Sequence, residues 1–228
     1  MPKIYDITPF SLLDYPQKIA CIVWIAGCNM RCVFCHNPAI VQSHGEKEES
    51  EVLSFLKIRQ GKLDAVVFSG GEATLYENLP DLMRKIKEMG FLVKLDTNGT
   101  RPTILARLLK ENLLDYVAMD YKTTPEKMEK LVGTNKHAEN IEASLELLIK
   151  AAITFEVRTT VYTPLTDETD INAIIRHLDN LSYKGTYYIQ NAFSFGEKTI
   201  GNIAETDRAF EREKLIPPKN FTLAFRNF

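Results

Sequence analysis

The chain has 228 residues, of which 45% are hydrophobic and 25% are charged, a composition typical of a soluble globular protein. Its net charge of −2 gives no reason to expect a nucleic-acid partner, and no run reaches the roughly 18 apolar residues of a membrane span. Residues 1–6 lack the apolar region of a signal peptide. One domain covering residues 1–228, with a core at about residues 15–192, is the simplest organisation.

Six short apolar runs have the character of buried strands, and helical patterns separate them. The strands are expected at Ala20–Ile25, Ala65–Ser69, Leu92–Asp96, Tyr116–Tyr121, Phe155–Val161 and Tyr187–Asn191, with a further short strand at Phe221–Phe225. The helices are expected at Glu49–Arg59, Leu79–Met89, Thr103–Asn112, Ala138–Ala151 and Glu168–Asn180. Nearly continuous apolar strands of this length are typical of parallel sheets that are covered on both faces.

A repeating strand–helix order predicts an α/β fold with right-handed crossovers and a parallel sheet. Six units are too few for a complete eight-unit barrel, which needs about 250 residues, so we expect a six-stranded partial barrel or a curved open sheet. Polar or glycine-rich residues follow four of the strands, at Ser69–Glu72, Asp96–Gly99, Asp120–Lys122 and Gln190–Asn191. Because ligand sites form at the carboxyl ends of parallel strands, we expect these segments to share one rim.

Three of the four cysteines, Cys28, Cys32 and Cys35, lie within eight residues. This CxxxCxxC spacing supplies three thiolates from one loop, whereas a four-iron cluster usually takes four cysteines, so one iron would stay open to a ligand. Such crowding does not fit a secreted disulfide framework and favours a reducing, cytoplasmic setting. Cys21 lies in an apolar strand and is expected to be a core residue.

Two other interpretations of the cysteine loop are open. A zinc site needs four nitrogen or sulfur ligands, and only His36 is near enough to complete a local set. Cys32 and Cys35 also form a CxxC pair like that of thioredoxin, which leaves Cys28 without a role. The iron–sulfur interpretation accounts for all three cysteines.

The three cysteines resemble the cluster motif of the radical S-adenosylmethionine (SAM) enzymes. Two further motifs follow in the order of that family. Gly70-Gly71-Glu72 is similar to its GGE motif, which binds the methionine end of SAM, and Asp96-Thr97-Asn98-Gly99 is similar to its DTNG segment near the SAM ribose and carboxylate. Ala73 departs from the proline that usually follows GGE. On this resemblance Asp96 and Asn98 are candidate SAM contacts.

Later segments resemble one group within the family, the activases of glycyl-radical enzymes. Asp120 and Lys122 match the group's D-x-K segment, and Arg158 matches its strand-five arginine. Gln190 and Asn191 occupy the sixth strand end, where related enzymes touch the adenosine. Ordinary structural roles are open beside these: a tight turn for the glycines, helix N-caps for Asp96 and Asp120, and surface ion pairs for Lys122 and Arg158.

The resemblance implies a partial barrel of the radical SAM type, (βα)6, with a [4Fe–4S] cluster and SAM as cofactors. A monovalent cation near Asp96 and Asp120 is a further cofactor that it allows. One electron from a flavodoxin or ferredoxin would cleave SAM to methionine and a 5′-deoxyadenosyl radical, which removes a hydrogen atom from a glycine of another protein. No cysteine follows Cys35, so a second cluster bound by cysteines is not expected.

Two segments indicate the partner. Cys-His-Asn-Pro at Cys35–Pro38 resembles the glycyl-radical activases, and Thr8–Pro16 resembles the activating proteins of anaerobic ribonucleoside-triphosphate reductase. We therefore expect that reductase as the substrate. The alternatives are another glycyl-radical enzyme such as pyruvate formate-lyase, a small-molecule enzyme of the deazapurine synthase type, or a zinc-binding interaction module without catalysis.

Overall fold

The computed structural model of the chain describes residues 3–192, 199–206 and 208–228. The chain forms two units. The first contains Met1–Asn29, Ala39–Thr97 and Arg101–Ala118, and the second contains Met30–Pro38, Asn98–Thr100 and Met119–Phe228. The cysteine loop is divided between them, because Cys28 belongs to the first unit and both Cys32 and Cys35 belong to the second. The expected single domain stays a prediction.

The first unit is built on a mostly parallel sheet. Its strands are β1 (Ile4–Ser11), β2 (Ala20–Ile25), β3 (Ala65–Gly70) and β4 (Leu92–Thr97). Strand β1 runs antiparallel to β2, whereas β2, β3 and β4 are parallel neighbours. The helices are α1 (Pro38–Gln42, whose first residue belongs to the second unit), α2 (Glu49–Lys57), α3 (Leu79–Glu88) and α4 (Pro102–Lys110). Most residues of β2, β3 and β4 are buried, as expected for parallel strands covered on both faces.

The second unit has its own parallel strands. They are the end of β5 (Tyr116–Asp120), β6 (Thr154–Val161), β7 (Thr186–Asn191) and β8 (Thr222–Arg226). β6, β7 and β8 are parallel neighbours, and the Tyr121 amide after β5 donates to the Arg158 carbonyl of β6 at 2.9 Å. The helices are α5 (Met128–Val132), α6 (Ala138–Lys150) and α7 (Glu168–Asn180).

Local sequence explains why the helices form where they do. In α3, Leu79, Leu82 and Met83 are fully buried on one face at helical spacing, and Gly90 follows with a φ of 91° that suits a helix end. Helix α7 begins at the N-cap Asp167, whose carboxylate accepts backbone hydrogen bonds from the first turn. These helices therefore follow from periodicity and capping.

The α/β class and the six predicted strands are confirmed, and the further strand at the end of the chain lies one residue later than predicted, at β8. Strand β1 was not predicted, because only Ile4 of its eight residues is buried and no apolar run marks it. Helices α1 and α5 were missed because five residues are too few for a periodic pattern. In the ranges that the structure describes, no helix is both long and apolar enough to cross a bilayer.

Cys21 is the second residue of β2 and has no exposed surface. Burial raises the pKa of its thiol to about 12, so the thiol is neutral at physiological pH. We expect Cys21→Ala to cost on the order of 1 kcal/mol of stability, for the lost sulfur contacts, and to retain the wild-type iron content. Thermal denaturation and iron analysis measure the two effects. Loss of iron from this variant would contradict the assignment of Cys21 to the core.

Candidate active site

The glycine pair at the end of β3 lies against the start of the cysteine loop. Gly70 has a φ of 122°, and a Cβ on it would lie 2.3 Å from the Ile25 carbonyl oxygen. A Cβ on Gly71 would lie 1.9 Å from the Gly27 carbonyl oxygen and 3.2 Å from Cys28 Cβ. Only glycine allows backbone to approach backbone this closely. The two glycines therefore allow the start of the chain's own cysteine loop to pack closely against them. A close approach of their backbone to SAM stays a prediction.

Gly71→Ala is expected to displace the start of the cysteine loop, because the added methyl group cannot share space with the Gly27 carbonyl. The stability loss should be about 3 kcal/mol, the upper range for overpacking, with loss of most of the bound iron. Gly90→Ala is the matched control, since its Cβ would meet nothing within 4 Å and only its φ of 91° is strained. A Gly71→Ala protein with the iron content and melting temperature of the control would contradict this account.

Glu72 has a fixed carboxylate at the end of the glycine pair. It is 1% exposed, and its Oε1 accepts hydrogen bonds from the Thr74 amide at 3.0 Å, the Thr74 hydroxyl at 2.5 Å and the Thr97 hydroxyl at 2.8 Å. The hydrogen bond from the Thr74 amide makes Glu72 the N-cap of a 3₁₀ turn at Ala73–Leu75. Alanine at position 73 thus starts a regular turn where the family usually has proline. Three donors on one oxygen hold the carboxylate in a single orientation.

Asp96 is one half of a part-buried ion pair. Its Oδ1 lies 2.5 Å from the Lys94 ammonium, and its Oδ2 accepts a hydrogen bond from the Ser69 hydroxyl at 3.1 Å. The Lys94 side chain is 3% exposed and its ammonium lies 5.9 Å from the centre of the Tyr116 ring. The N-cap alternative is wrong for Asp96, because the residue lies inside β4 and Arg101 precedes the next helix. Lys94 was missed, although residues two apart on a strand share a face.

Two other segments of the second unit hold the backbone of the cysteine loop. One is the end of α5, and the other is the short stretch at residues 200–201. Backbone hydrogen bonds of 2.8 to 3.2 Å run from Arg31 N to Val132 O, Val33 N to Leu131 O, Gly201 N to Val33 O and Ile200 N to Cys35 O. These four hydrogen bonds use peptide groups alone, so they fix the backbone of the loop without using a cysteine sulfur. The part played by residues 200–201 was missed, because the sequence there has no regular pattern.

The donor set of this loop suits an iron–sulfur cluster. Cys32 is 8% exposed, and burial raises the pKa of its thiol to about 11, partly opposed by the Lys122 ammonium nearby. Phe34, between two cysteines, is 4% exposed and adds apolar cover. Among residues 3–192, 199–206 and 208–228, no three histidine, cysteine or acidic side chains are grouped around one point for a single metal ion. Three thiols from one loop nevertheless match the chemistry of cluster ligands, which bind as thiolates.

Asp120, Lys122 and Arg158 form an ion triad in the second unit. Asp120 Oδ2 lies 2.8 Å from the Lys122 ammonium, and its Oδ1 lies 3.1 Å from Arg158 Nε. Burial opposes ionisation of Asp120, but the charges of Arg158 and Lys122 outweigh it and hold the pKa below its usual value. Burial also opposes the Lys122 charge, yet Asp120 keeps that pKa above its usual value. The ion pairs of Lys122 and Arg158 are thus part-buried, and the alternative of surface ion pairs is wrong. The helix-cap alternative for Asp120 is also wrong, because Thr124 precedes the next helical turn.

The triad continues across the neighbouring strands. Glu156, which is 2% exposed, lies 3.9 Å from Arg158 and 3.3 Å from Arg226 of β8. Arg226 also donates to the Gln190 side-chain oxygen at 3.3 Å, and its guanidinium lies 3.5 Å from the centre of the Tyr188 ring. Gln190 therefore belongs to the same polar network as the triad. Glu156 and Arg226 were missed, because β8 was predicted without a position in the sheet.

The remaining two predicted residues have other surroundings. Asn98 is 5% exposed, and its Oδ1 accepts hydrogen bonds from the Thr100 amide at 3.1 Å and the Thr100 hydroxyl at 2.7 Å, which closes a tight turn. Asn191 ends β7 and lines a cavity of about 210 Å³ together with Tyr162 and Ile203. The structure thus joins Gln190 to the triad and places Asn98 and Asn191 elsewhere in the second unit. The shared rim for all motifs stays a prediction.

The α/β fold, the cysteine loop and the strand-end motifs define the core of a radical SAM enzyme. The chain belongs to the Radical SAM superfamily, whose sequence pattern matches residues 22–178. It is an enzyme of the glycyl-radical-enzyme activating group, as its sequence relatives indicate, and its cofactors are a [4Fe–4S] cluster and SAM. The alternative of a zinc-binding module without catalysis is therefore wrong, and the relatives do not favour a deazapurine synthase.

Three curated relatives carry this assignment. A Methanocaldococcus jannaschii protein provisionally named a glycyl-radical enzyme activating enzyme is 37% identical over 178 residues, which cover 76% of this chain and 74% of that protein. The pyruvate formate-lyase-activating enzyme of Clostridium pasteurianum is 29% identical over 79% of this chain and 76% of its own length. The pyruvate formate-lyase 1-activating enzyme of Escherichia coli K12 is 33% identical over 59% of this chain and 58% of its own.

Solved structures show the same fold at low sequence identity. Streptococcus suis SuiB bound to the precursor peptide SuiA has a TM-score of 0.63 at 15% identity, covering 78% of this chain and 40% of that one. The anSMEcpe protein with bound AdoMet has a TM-score of 0.58 at 22% identity, covering 74% of this chain and 49% of that one. The present chain spans less than half the length of these structures, and the likeness is one of fold.

Proposed function

We propose that this enzyme activates anaerobic ribonucleoside-triphosphate reductase by generating a glycyl radical on it. The observation that carries this choice is the segment Thr8–Pro16, whose sequence resembles activators of that reductase. The segment presents apolar side chains to solvent, with Phe10 55%, Leu12 60% and Leu13 93% exposed. The Ser11 hydroxyl orders it by accepting hydrogen bonds from the amides of residues 13 and 14 at 3.1 and 3.2 Å. An ordered, exposed apolar segment suits contact with a protein substrate.

The roles of the site residues follow from their chemistry. Cys28, Cys32 and Cys35 would hold the [4Fe–4S] cluster, and the glycine pair would place Glu72 beside it. The fixed Glu72 carboxylate can accept a charge-assisted hydrogen bond from the ammonium group of SAM. Gly70 and Gly71 support this by setting the path of the backbone.

The paired charges of the site would orient the remainder of SAM. We assign its ribose and carboxylate to Asp96, Asn98, Asp120, Lys122 and Arg158, and its adenosine to Gln190 and Asn191. Each aspartate already has a protein cation at 2.5 to 3.1 Å, which holds its carboxylate in place. A monovalent cation near Asp96 and Asp120 would add to these charges, and its presence stays a prediction.

When bound, the cluster would supply one electron that cleaves SAM to methionine and a 5′-deoxyadenosyl radical, the species able to take a hydrogen atom from a glycine Cα and become 5′-deoxyadenosine. The chain's own residues would position SAM. The electron would come from a flavodoxin or ferredoxin in the cytoplasm.

Pyruvate formate-lyase is the second candidate substrate. Two of the relatives are named as activating enzymes of that protein, at 29% and 33% identity. The two candidates share the chemistry and differ in the surface that the activator must recognise. They therefore need a direct comparison in one experiment.

The deciding experiment is electron paramagnetic resonance of the reduced, reconstituted enzyme mixed anaerobically with SAM and each candidate substrate. We expect a glycyl-radical doublet with the anaerobic reductase from the same genome, and none when SAM or this enzyme is omitted. A doublet with pyruvate formate-lyase alone would replace the proposed substrate. Formation of 5′-deoxyadenosine without a doublet from either substrate would retain the chemistry and reject both partners.

A further inference from the structure

A short segment near the end of the chain, residues 199–203, lies directly beside the second half of the cysteine loop. The Gly201 amide donates to the Val33 carbonyl at 2.8 Å, and the Ile200 amide donates to the Cys35 carbonyl at 3.2 Å. We call residues 199–203 the clasp. The roles assigned to SAM and to the cluster ligands do not use any of its residues.

Position 201 needs a glycine because of space and not because of backbone conformation. The φ of Gly201 lies outside the left-handed range, so alanine could adopt the same backbone. A Cβ at this position, however, would lie 2.7 Å from Val33 Cβ and 2.9 Å from both the Cα and the carbonyl oxygen of Val33. None of these atoms is the movable end of a side chain. A methyl group at position 201 would therefore push the clasp and the cysteine loop apart.

The turn between the last two cysteines is held at both of its ends. The Cys35 amide donates to the Cys32 carbonyl at 3.0 Å, which closes the turn. Helix α5 accepts hydrogen bonds from the residues on either side of Cys32, whereas the clasp bonds the carbonyls of Val33 and Cys35. The clasp thus fixes the Cys35 end of the turn, as α5 fixes the Cys32 end.

The clasp is closed on itself by one buried residue. Thr199 is 3% exposed, and its hydroxyl accepts a hydrogen bond from the Ile203 amide at 3.0 Å. Its carbonyl accepts another from the Asn202 amide at 3.1 Å. Asn202 has a φ of 46°, a left-handed conformation that asparagine tolerates better than most residues. The shape of the clasp is therefore set by its own sequence.

The chain beyond the clasp is fastened near the start of α7. The Arg208 guanidinium pairs with the Glu168 carboxylate, whose side chain is 8% exposed, and the Glu211 amide donates to the same carboxylate at 2.8 Å. The Thr163 hydroxyl donates to the Arg208 carbonyl at 2.8 Å. A fixed attachment to the second unit thus follows the clasp in the chain, and it limits how far the clasp can move from the loop.

We propose that the clasp is a positioning element for the iron–sulfur cluster, with Gly201 and Thr199 as its positioning residues. Two thiolates that bind one cluster must keep a fixed separation, and partners outside the ligand set of a metal site are typically worth about 10- to 100-fold in affinity. The clasp acts through peptide groups and not through a bond to sulfur. The proposal rests on Cys32 and Cys35 being cluster ligands, and it does not depend on which protein is the substrate.

Thr199→Val tests the proposal, because it keeps the shape of the side chain and removes the hydroxyl that closes the clasp. In the anaerobic holoenzyme we expect iron to pass to a colorimetric chelator about tenfold faster than in the wild type. Thr199→Ser retains the hydroxyl and should restore a rate near that of the wild type. A wild-type rate in Thr199→Val, or equal rates in the two variants, would overturn the proposal.

Gly201→Ala tests the other side of the contact. Whichever segment moves, the 2.8 Å bond to Val33 is lost, so iron release should again be about tenfold faster. Gly61→Ala is the matched control, since a Cβ there meets nothing within 4 Å, and its φ of 73° carries a backbone strain that Gly201→Ala avoids. Equal rates of iron release in Gly201→Ala and the control would contradict the proposed role of Gly201.

Hydrogen exchange of the same holoenzymes, followed by mass spectrometry, separates positioning from a general loss of stability. In Thr199→Val and Gly201→Ala we expect faster exchange in the clasp and in residues 31–35, with wild-type exchange in β7 and β8. Faster exchange throughout the second unit would show that the substitutions act on the whole fold, and would overturn the proposal. These measurements need neither SAM nor the reductase, so their failure is distinct from failure of the proposed function.

Discussion

Replacing Cys32 by alanine is expected to abolish reductive cleavage of SAM while the protein stays folded. The variant removes one of only three thiolates that this loop offers to the cluster. Even partners outside the ligand set of a metal site are typically worth about 10- to 100-fold, so loss of a ligand should lower cleavage by more than about 100-fold. The loop itself should survive, because its hydrogen bonds to α5 and to residues 200–201 use backbone atoms.

Chromatographic measurement of 5′-deoxyadenosine, with iron analysis and circular dichroism, checks this result. Cys28→Ala and Cys35→Ala should behave in the same way, since each removes an equivalent ligand. Cys21→Ala is the matched control, because it also deletes one thiol, from a position buried in β2. Cleavage at the wild-type rate in any of the three loop variants would remove that cysteine from the ligand set.

Much of the fold could be predicted because buried parallel strands are nearly continuous apolar runs. Strands β2 to β7 were all visible in this way. Strand β1 was not, since it is antiparallel, mostly exposed and marked only by the buried Ile4. A strand that buries so little side-chain surface gives little hydrophobic signal, whatever its pairing.

The candidate site was predictable where residues are close in sequence and less so where charges meet across strands. The cysteine loop and the GGE motif are local patterns. The Lys94–Asp96 pair could also have been found, because two residues on one strand face are separated by two positions. The link between Glu156 and Arg226 could not, since it joins residues 70 positions apart through the pairing of β6, β7 and β8.

The role of the glycines shows a different limit. A Gly-Gly pair after a strand predicts close backbone approach, and sequence alone does not say what approaches. In the structure the neighbours of Gly70 and Gly71 are the carbonyl groups of Ile25 and Gly27, part of the same chain. The glycine pair, a pattern typical of ligand binding, therefore also lets the start of the cysteine loop pack against the end of β3.

Asp120→Asn is expected to destabilise the protein by about 3 kcal/mol, because it leaves two part-buried cations without their shared carboxylate. Lys122 loses its partner at 2.8 Å and Arg158 its partner at 3.1 Å. Asp81→Asn is the control, since Asp81 pairs with Arg84 on the surface at 57% side-chain exposure. A pair of that kind is worth about 0 to 1 kcal/mol. Urea denaturation at neutral pH measures both, and equal losses would show that the triad is as solvated as the surface pair.

The pH dependence of the difference between wild type and Asp120→Asn has a definite sign. The pKa of Asp120 is lowered in the folded state, so its stabilisation is complete above the unfolded value of about 3.9 and is lost as pH falls through the folded value. The pKa of Lys122 is raised, so its contribution is complete below about 10.4 and is lost as pH rises through the folded value. The difference should therefore be constant from about pH 5 to pH 9 and narrow in acid. A difference that grows as pH falls below about 5 would contradict the lowered pKa.

A double variant separates the structural and catalytic roles of the triad. Adding Lys122→Met to Asp120→Asn removes the unpaired ammonium, and an apolar replacement of a buried ion pair is often neutral for stability. We expect the double variant to regain most of the lost stability, because Arg158 still has Glu156 at 3.9 Å. SAM cleavage should stay low, since the two charges proposed to orient SAM are gone. Recovery of cleavage together with stability would show that Asp120 and Lys122 support the fold alone.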